Sequence, residues 1–416
     1  MRITSALFPV LFLAGSLYPE PIVITGKMLP AHLGSIIQNI RITDHKGVCI
    51  PFQIDEVEDN DYVCTSGKEP NIGNGILDSA DEIVFLWEDA DTVGPANSIG
   101  TDQNVITLAH GREKRYVYLL HDASIPLSKV SYIQYDERSE RIRTPYYYAC
   151  FGHDRFHFTS AGIKYNAKDA YLDLTNELRI KIFLRALWGL LPITYTEQSI
   201  VCLVKRYKAG PVRLIRRGDF YLKLGLFLQG SNAAVNQICY PQMVRVPVYV
   251  HLPIRFRVLF KEAWIEMTPV FTDNAKDFTF EVPSRNISFP LGTQDRTDTL
   301  IQKNPNHSCM TAHNGTMGYG WFLDAGMEER FLDGSGYCVS VPSERFGIGH
   351  CGFRLTVRDL PKGYYLIGNW VLFSRNGIGG LLDACDRLAD MATLTVRGDP
   401  ASYRNQLGKV MPFRKQ

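Results

Sequence analysis

Three segments of this chain carry residue types that could do chemistry, and the first is acidic. Ile50-Pro51-Phe52-Gln53-Ile54-Asp55-Glu56 is an apolar strand ending in acids. After a polar gap come Gly73-Asn74-Gly75-Ile76-Leu77-Asp78 and Asp81-Glu82-Ile83-Val84-Phe85, a Gly/Asn-rich loop leading into a second apolar strand. Carboxylates and amides gathered at close spacing around a tight turn are oxygen ligands for calcium. With Gly75 at the turn position of a calcium loop, Asn74, Asp78 and Asp81 fall on ligand positions. Pro70 and Ile72 stand where the first two acids belong, so Asp55 or its neighbours Glu56, Glu58, Asp59 and Asp61 must supply the missing oxygens. The competing reading is a solvated turn whose carboxylates cap backbone N–H groups.

The second segment is basic. Lys205, Arg206, Lys208, Arg213, Arg216 and Arg217 surround the turn Ala209-Gly210-Pro211, with Tyr207, Phe220 and Tyr221 interleaved. Arg forks suit carboxylate and phosphate, so this hairpin reads as a surface for an acidic polysaccharide or another anionic envelope component. The plainer alternative is a hairpin whose cations pair with acids such as Asp219 and Glu262. The third segment, 146–158, carries Tyr147, His153, Arg155 and His157. In a single strand His153, Arg155 and His157 share a face. Tyr and His move protons and Arg neutralises a uronate, as in polysaccharide lyases and mutarotase-like isomerases of β-supersandwich architecture. An ordinary aromatic-rich strand explains the same residues.

Pro51-Phe52-Gln53-Ile54-Asp55-Glu56, Asn74-Gly75-Ile76-Leu77-Asp78, Asp81-Glu82-Ile83-Val84-Phe85 and Asp89 together resemble an N-terminal module of poorly characterised exported bacterial β-rich proteins. Ala209-Gly210-Pro211-Val212-Arg213-Leu214-Ile215-Arg216 is similar to a further recurring feature of such proteins. The resemblance covers 20–95 well and the remainder loosely. It implies an exported β-rich protein and no particular activity.

The elements that must position these residues are mostly strands. Short apolar or alternating runs at 21–25, 37–43, 48–54, 83–87, 105–108 and 115–120 predict a small N-terminal β domain, 17–144, after a signal peptide at 1–16. The alternating charges at 136–144 read as a solvated connection. From 145 to 416, many strands with Gly and Pro turns predict a large sandwich or supersandwich. The fold class is therefore all-β with few helices. Two helices are expected, over 166–179 and 380–391, the second as a lid before a last strand.

With 416 residues, 45% hydrophobic, 21% charged and a net charge of +2, the chain is globular and shows no overall basic character for nucleic acid. No later segment has an uninterrupted apolar run of roughly 20 residues, so no transmembrane span is expected after signal cleavage. The nearest, 182–193, reads as a buried hairpin or, if Leu184, Leu187, Trp188, Leu190 and Leu191 are exposed, as a patch for peripheral attachment to an envelope membrane. Nine cysteines leave one unpaired at least. Cys49–Cys64 and Cys338–Cys351 are the candidate bridges, against buried free thiols. Two functions follow: a non-catalytic exported protein binding a polymer through the basic face, with structural calcium, or a carbohydrate lyase or isomerase.

Overall fold

The computed structural model describes residues 20–404 except 60, 95–103, 111, 153–154, 156, 166–169, 225–226, 253, 293–298, 325–327, 340–347, 390–392 and 397–398. The architecture is all-β. Near the N-terminus, Glu82–Leu86 forms the centre of a three-stranded antiparallel sheet, flanked by Pro21–Thr25 and Phe52–Asp55. Its Glu-Ile-Val-Phe-Leu sequence is apolar on both faces because both faces are covered. Ile83 and Phe85 join Ile22, Ile24, Ile40, Ile42, Ile106 and Val117 in the first core. Val84 and Leu86 point the other way, onto Val212, Ile215, Ile238 and Tyr240. One strand thus packs the first region and welds it to the second.

A five-stranded sheet covers that first core, in the order Ile40–Thr43, Glu113–His121, Asn104–His110, Thr393–Val396, Asp399–Arg404. Its last two strands come from the far end of the chain. Sheet pairing therefore cuts across the sequence division at 144. Ser66–Gly67 likewise pairs with Arg206 and Tyr207 at the edge of a large sheet.

Apart from a two-stranded ribbon of Val57–Glu58 and Asp61–Tyr62, the remainder is two ten-stranded antiparallel sheets packed over one extended core that includes Tyr147, Leu178, Ile180, Phe271, Trp321, Phe353 and Phe373. The polar run 136–144 is not a solvated connection: Gln134–Asp136 and Arg141–Arg143 form a hairpin that continues one sheet. Nor do 171–179 form a helix. They begin the strand Tyr171–Ala186, in which Leu178 and Ile180 are buried while Lys181 faces solvent; this period of two overrides the irregular helical pattern.

The second expected helix is present as Gly377–Ala389. Leu381, Ala384 and Cys385 are buried on its inner side, and Cys385 is bonded to Cys309. The two bridges expected from spacing are not formed, and all four thiols are free and buried. Cys338 lies opposite Gly352 and Cys351 opposite Val339, so the one-residue offset sends the two sulfurs to opposite faces of the strand pair. Among the described residues no helix is long and apolar enough to cross a membrane.

Candidate functional site

The acidic and basic segments meet. Gln53 and Asp55 lie two apart on one strand and therefore project from the same face. They reach the turn at 210–213. Gln53 Oε1 accepts from the N–H groups of Val212 (3.2 Å) and Arg213 (2.8 Å), and its amide nitrogen donates to Asp55 Oδ2 at 2.8 Å. Arg213 Nε donates to Asp55 Oδ2 at 2.7 Å, Nη2 to Glu82 Oε2 at 2.6 Å and Nη1 to the Tyr240 hydroxyl at 3.1 Å. Lys208 Nζ sits 2.9 Å from Asp55 Oδ1 and donates to the Ile54 carbonyl at 2.6 Å. Tyr62 completes the site, donating to Glu82 at 2.9 Å while its ring lies beneath the Arg213 guanidinium.

This is a buried clasp between the two regions. Asp55 is 0% exposed and Arg213 1%. Burial opposes charge on Asp55, but Arg213 and Lys208 more than offset it and hold the carboxyl below its ordinary range. Gly210 is required by proximity: a Cβ there would run into the Gln53 amide. The segments 51–56 and 209–216 are the two halves of this contact.

The other cations of the basic hairpin are also spent internally. Arg216, 1% exposed, donates to Glu140 and Gln237 and lies 4.1 Å from the centre of the Phe151 ring. Arg217 and Arg206 both bind Asp61, at 2.7 Å and 2.6 Å. Lys205 Nζ lies 3.0 Å from both Glu69 and Asp219. Lys205, Arg206, Lys208, Arg213, Arg216 and Arg217 therefore do not form the open polymer-binding surface expected of them. Apart from Asp219, on the neighbouring strand, their counter-charges are acids remote in sequence.

The acidic loop is built as a network of turns. Glu56 accepts from the Gly75 N–H at 2.7 Å, and Asn74 Oδ1 from the Ile76 N–H at 2.8 Å. The Asn74 amide donates to Asp78 at 2.7 Å. Asp81 accepts from the N–H groups of Val57 (2.8 Å) and Asp78 (2.7 Å). Burial raises the Asp81 carboxyl, and the nearby charges of Asp78 and Glu56 add to the effect, against those two N–H bonds. Asp55, expected among the ligands, is directed to the clasp instead. Among the described residues no group of three His, Cys, Asp or Glu side chains is arranged to hold a metal ion.

The histidine segment does not make a single strand. Tyr147–Phe151 and Phe158–Lys164 are the arms of a hairpin, and Arg155 and His157 lie in its connection; His153 falls outside the described residues. Tyr147 is buried in the core, stacked on Phe373 at 4.2 Å. His157 is 2% exposed, and burial lowers its imidazole to about 4. Arg155 is exposed. The expected cleft joining Tyr147, Arg155 and His157 is absent.

The chemistry that does face solvent lies elsewhere. On the outer face of one large sheet, Phe183 stands opposite Trp264, Lys181 opposite Glu266 and Arg185 opposite Glu262. Arg354 stands beyond Glu266 on the next strand. Phe183 and Trp264 stack at 5.3 Å, Arg354 lies 4.5 Å and Lys181 5.5 Å from the Trp264 ring centre. Arg354 also donates to Glu266 at 2.7 Å. The sequence carries this face as alternation, Lys181-x-Phe183-x-Arg185 and Glu262-x-Trp264-x-Glu266, beside the irregular pattern of 171–179.

No family model matches the chain, and no curated protein matches its sequence. Solved structures do share the fold. An α-mannosidase from Enterococcus faecalis V583 superimposes with a TM-score of 0.52 at 8% identity, over 94% of this chain and 46% of that one. A protein of glycosyl hydrolase family 38 from Enterococcus faecalis gives 0.50 at 8% identity, over 94% and 47%. A putative aldose 1-epimerase from Escherichia coli K12 aligns only at a TM-score of 0.33 and 8% identity, over 56% of this chain and 97% of that one, which is below a shared fold. The chain spans about half the length of the first two. It is similar to a β-rich fold found in carbohydrate-active proteins.

Proposed function

We propose that the protein is a non-catalytic carbohydrate-binding component that holds an acidic polysaccharide on the outer face centred on Trp264. The observation that carries the reading is the solvent-facing row of Phe183, Trp264, Lys181, Arg185 and Arg354, with Glu262 and Glu266 between the cations. Aromatic ring faces attract sugar C–H groups because the face carries the negative end of the ring quadrupole, and cations and carboxylates hydrogen-bond ring substituents and uronates. The shared fold with an α-mannosidase supports a carbohydrate-related role. The Cys309–Cys385 bond supports export to an oxidising compartment.

The test is retention on immobilised acidic and neutral polysaccharides. Trp264→Ala is expected to weaken binding to the acidic polymer about tenfold or more, a typical loss for a central aromatic anchor, with the melting temperature little changed. Binding that survives Trp264→Ala and Lys181→Ala would overturn the proposal.

Calcium belongs to the proposal as a structural ion at the acidic loop, held by Asn74, Asp78 and Asp81 with backbone carbonyls and water. Its support is the placement of these three side chains around the Gly75 turn, where the Asn74 amide meets Asp78 at 2.7 Å and Asp81 binds the Asp78 N–H. A calcium-dependent rise in Tm, lost in Asp78→Ala and Asp81→Ala, is expected. A Tm that is the same in calcium and in chelator would remove the ion.

A further inference from the structure

At one end of the sandwich the hairpin between Tyr171–Ala186 and Leu191–Thr196 turns through Leu187, Trp188, Gly189 and Leu190. Leu187 and Leu191 are about half exposed, Trp188 is 80% exposed and Leu190 82%. The short helix Phe256–Leu259 touches this turn and adds exposed Ile254, Val258 and Leu259. The buried Phe256 ring, packed on Phe260, anchors that second projection. The result is one protruding cap of seven large apolar side chains. Isolated apolar residues on a surface need no explanation, but a contiguous cap does.

The backbone shows a second anomaly. Leu187, Trp188 and Gly189 all have positive φ, at 49°, 57° and 98°. Left-handed conformation is disfavoured for residues with a Cβ, and only the third position has the glycine that relieves it. The turn keeps a Leu and a Trp where glycine would be more stable. Strain retained at an exposed position accompanies function.

Around the cap stand Arg185, Arg255, Arg257 and Lys261, whose aliphatic stem lies against Gly189. Arg255 and Arg257 are well exposed. Two carboxylates lie among them: Asp359, 2.6 Å from Arg255, and Glu262, paired across the strands with Arg185. A cationic collar below a protruding Trp–Leu tip is complementary to an anionic bilayer. The tip enters the acyl boundary, the indole settles at headgroup level, and the collar meets the phosphates. A flat protein partner would demand a concave or planar patch with directional polar groups, and the tip offers neither.

We infer that the Leu187–Leu191 turn, with Ile254, Val258 and Leu259 beside it, is a peripheral membrane-docking tip for anionic phospholipid bilayers. It shares Arg185 and Glu262 with the end of the Trp264 row, but Trp188 and Leu190, which the test removes, lie outside that row, so either reading can fail alone.

The experiment is co-sedimentation of the full chain with vesicles of phosphatidylglycerol and phosphatidylcholine, or of phosphatidylcholine alone, at low and high salt. Wild type is expected to pellet with the anionic vesicles, less so at high salt because the collar is screened. Trp188→Gly combined with Leu190→Ser is expected to lose about tenfold or more of that affinity, since two apolar anchors are removed. The same variant should melt no lower than wild type, because glycine suits the positive φ at 188. Equal binding by the variant, or no binding of wild type to anionic vesicles, overturns the inference. So does vesicle-independent self-association that the variant abolishes, which would assign the tip to a second copy of this chain.

Discussion

The clasp and the outer sheet face use the same residue types to opposite ends. Arg213, Lys208, Asp55, Glu82, Tyr62 and Tyr240 form one; Arg354, Lys181, Glu262, Glu266, Trp264 and Phe183 form the other. In the first, Asp55 and Arg213 are fully withdrawn from water and answered by partners in the other region of the chain. In the second, Lys181 is exposed and the other cations and rings are partly so, held by neighbours on adjacent strands. What separates architecture from an open surface here is how far the charge pair is buried: Asp55 and Arg213 are 0% and 1% exposed, whereas Arg354 and Glu266 keep 28% and 16% of their side chains in solvent.

The sharpest way to break this contrast is to remove one side of the clasp. Asp55→Asn or Arg213→Ala is expected to lower stability by about 3–5 kcal/mol, the usual cost of leaving one buried charge alone, in a denaturant melt. Glycan retention by the protein that remains folded should be unchanged. Because the Asp55 carboxyl is held below its ordinary value, its contribution is complete above the unfolded value near 3.8 and is lost as pH falls through the lower folded value. The difference between wild type and Asp55→Asn should therefore shrink below about pH 4. A clasp mutation without effect on stability would erase the distinction.

A smaller effect sharpens it. Gln53→Ala strands the N–H groups of Val212 and Arg213, at about 1–3 kcal/mol for a buried donor left unsatisfied. Gly210→Ala is expected to destabilise alone because its Cβ meets the Gln53 amide. In the Gln53→Ala background that clash is gone, so the two losses should be clearly less than additive in a double-mutant cycle. Additive losses would mean that the two residues do not act on each other.

The smallest effect has the opposite sign. Asp89 accepts from the Tyr132 hydroxyl at 2.7 Å, yet burial outweighs that bond and raises its carboxyl to about 6. The folded state keeps this proton up to about pH 6 and the unfolded state releases it near 3.8, so stability falls across that interval as pH rises. Asp89→Asn should therefore stabilise the protein at pH 7.5, on the order of 1 kcal/mol after solvent screening. The gain should vanish by pH 4. Stabilisation that does not depend on pH would assign the effect to something other than the charge.

Much of the fold is legible in the sequence. Pro21–Thr25 and Glu82–Leu86 read as strands from their unbroken apolar runs, and Gly377–Ala389 as a helix from its apolar face. The Lys208–Arg213 turn reads from Ala209-Gly210-Pro211. The errors lie where a local pattern has two meanings. Residues 171–179 mix polar and apolar positions because the strand they open is buried on one face and wet on the other. The site was half legible. The acidic and basic segments stand out, but nothing local shows that Asp55 and Arg213 face each other. A charge cluster looks the same whether its partner is solvent, polymer or the same chain. The Trp264 row is visible as alternation once the strands are known, and its neighbours across the sheet are not visible at all.

The strands Thr393–Val396 and Asp399–Arg404 add a consequence for how the molecule comes into being. The first pairs with Asn104–His110, a strand made long before it, and the second pairs with the first. Until the ribosome delivers that last segment, Asn104–His110 presents an open row of N–H and C=O groups that any other extended chain can template on. The first region is thus sealed only by strands made about three hundred residues after its own. A nascent chain in this condition needs either a holding factor or a short interval before residues 393–404 arrive, and a chain interrupted before residue 393 carries a permanently sticky edge.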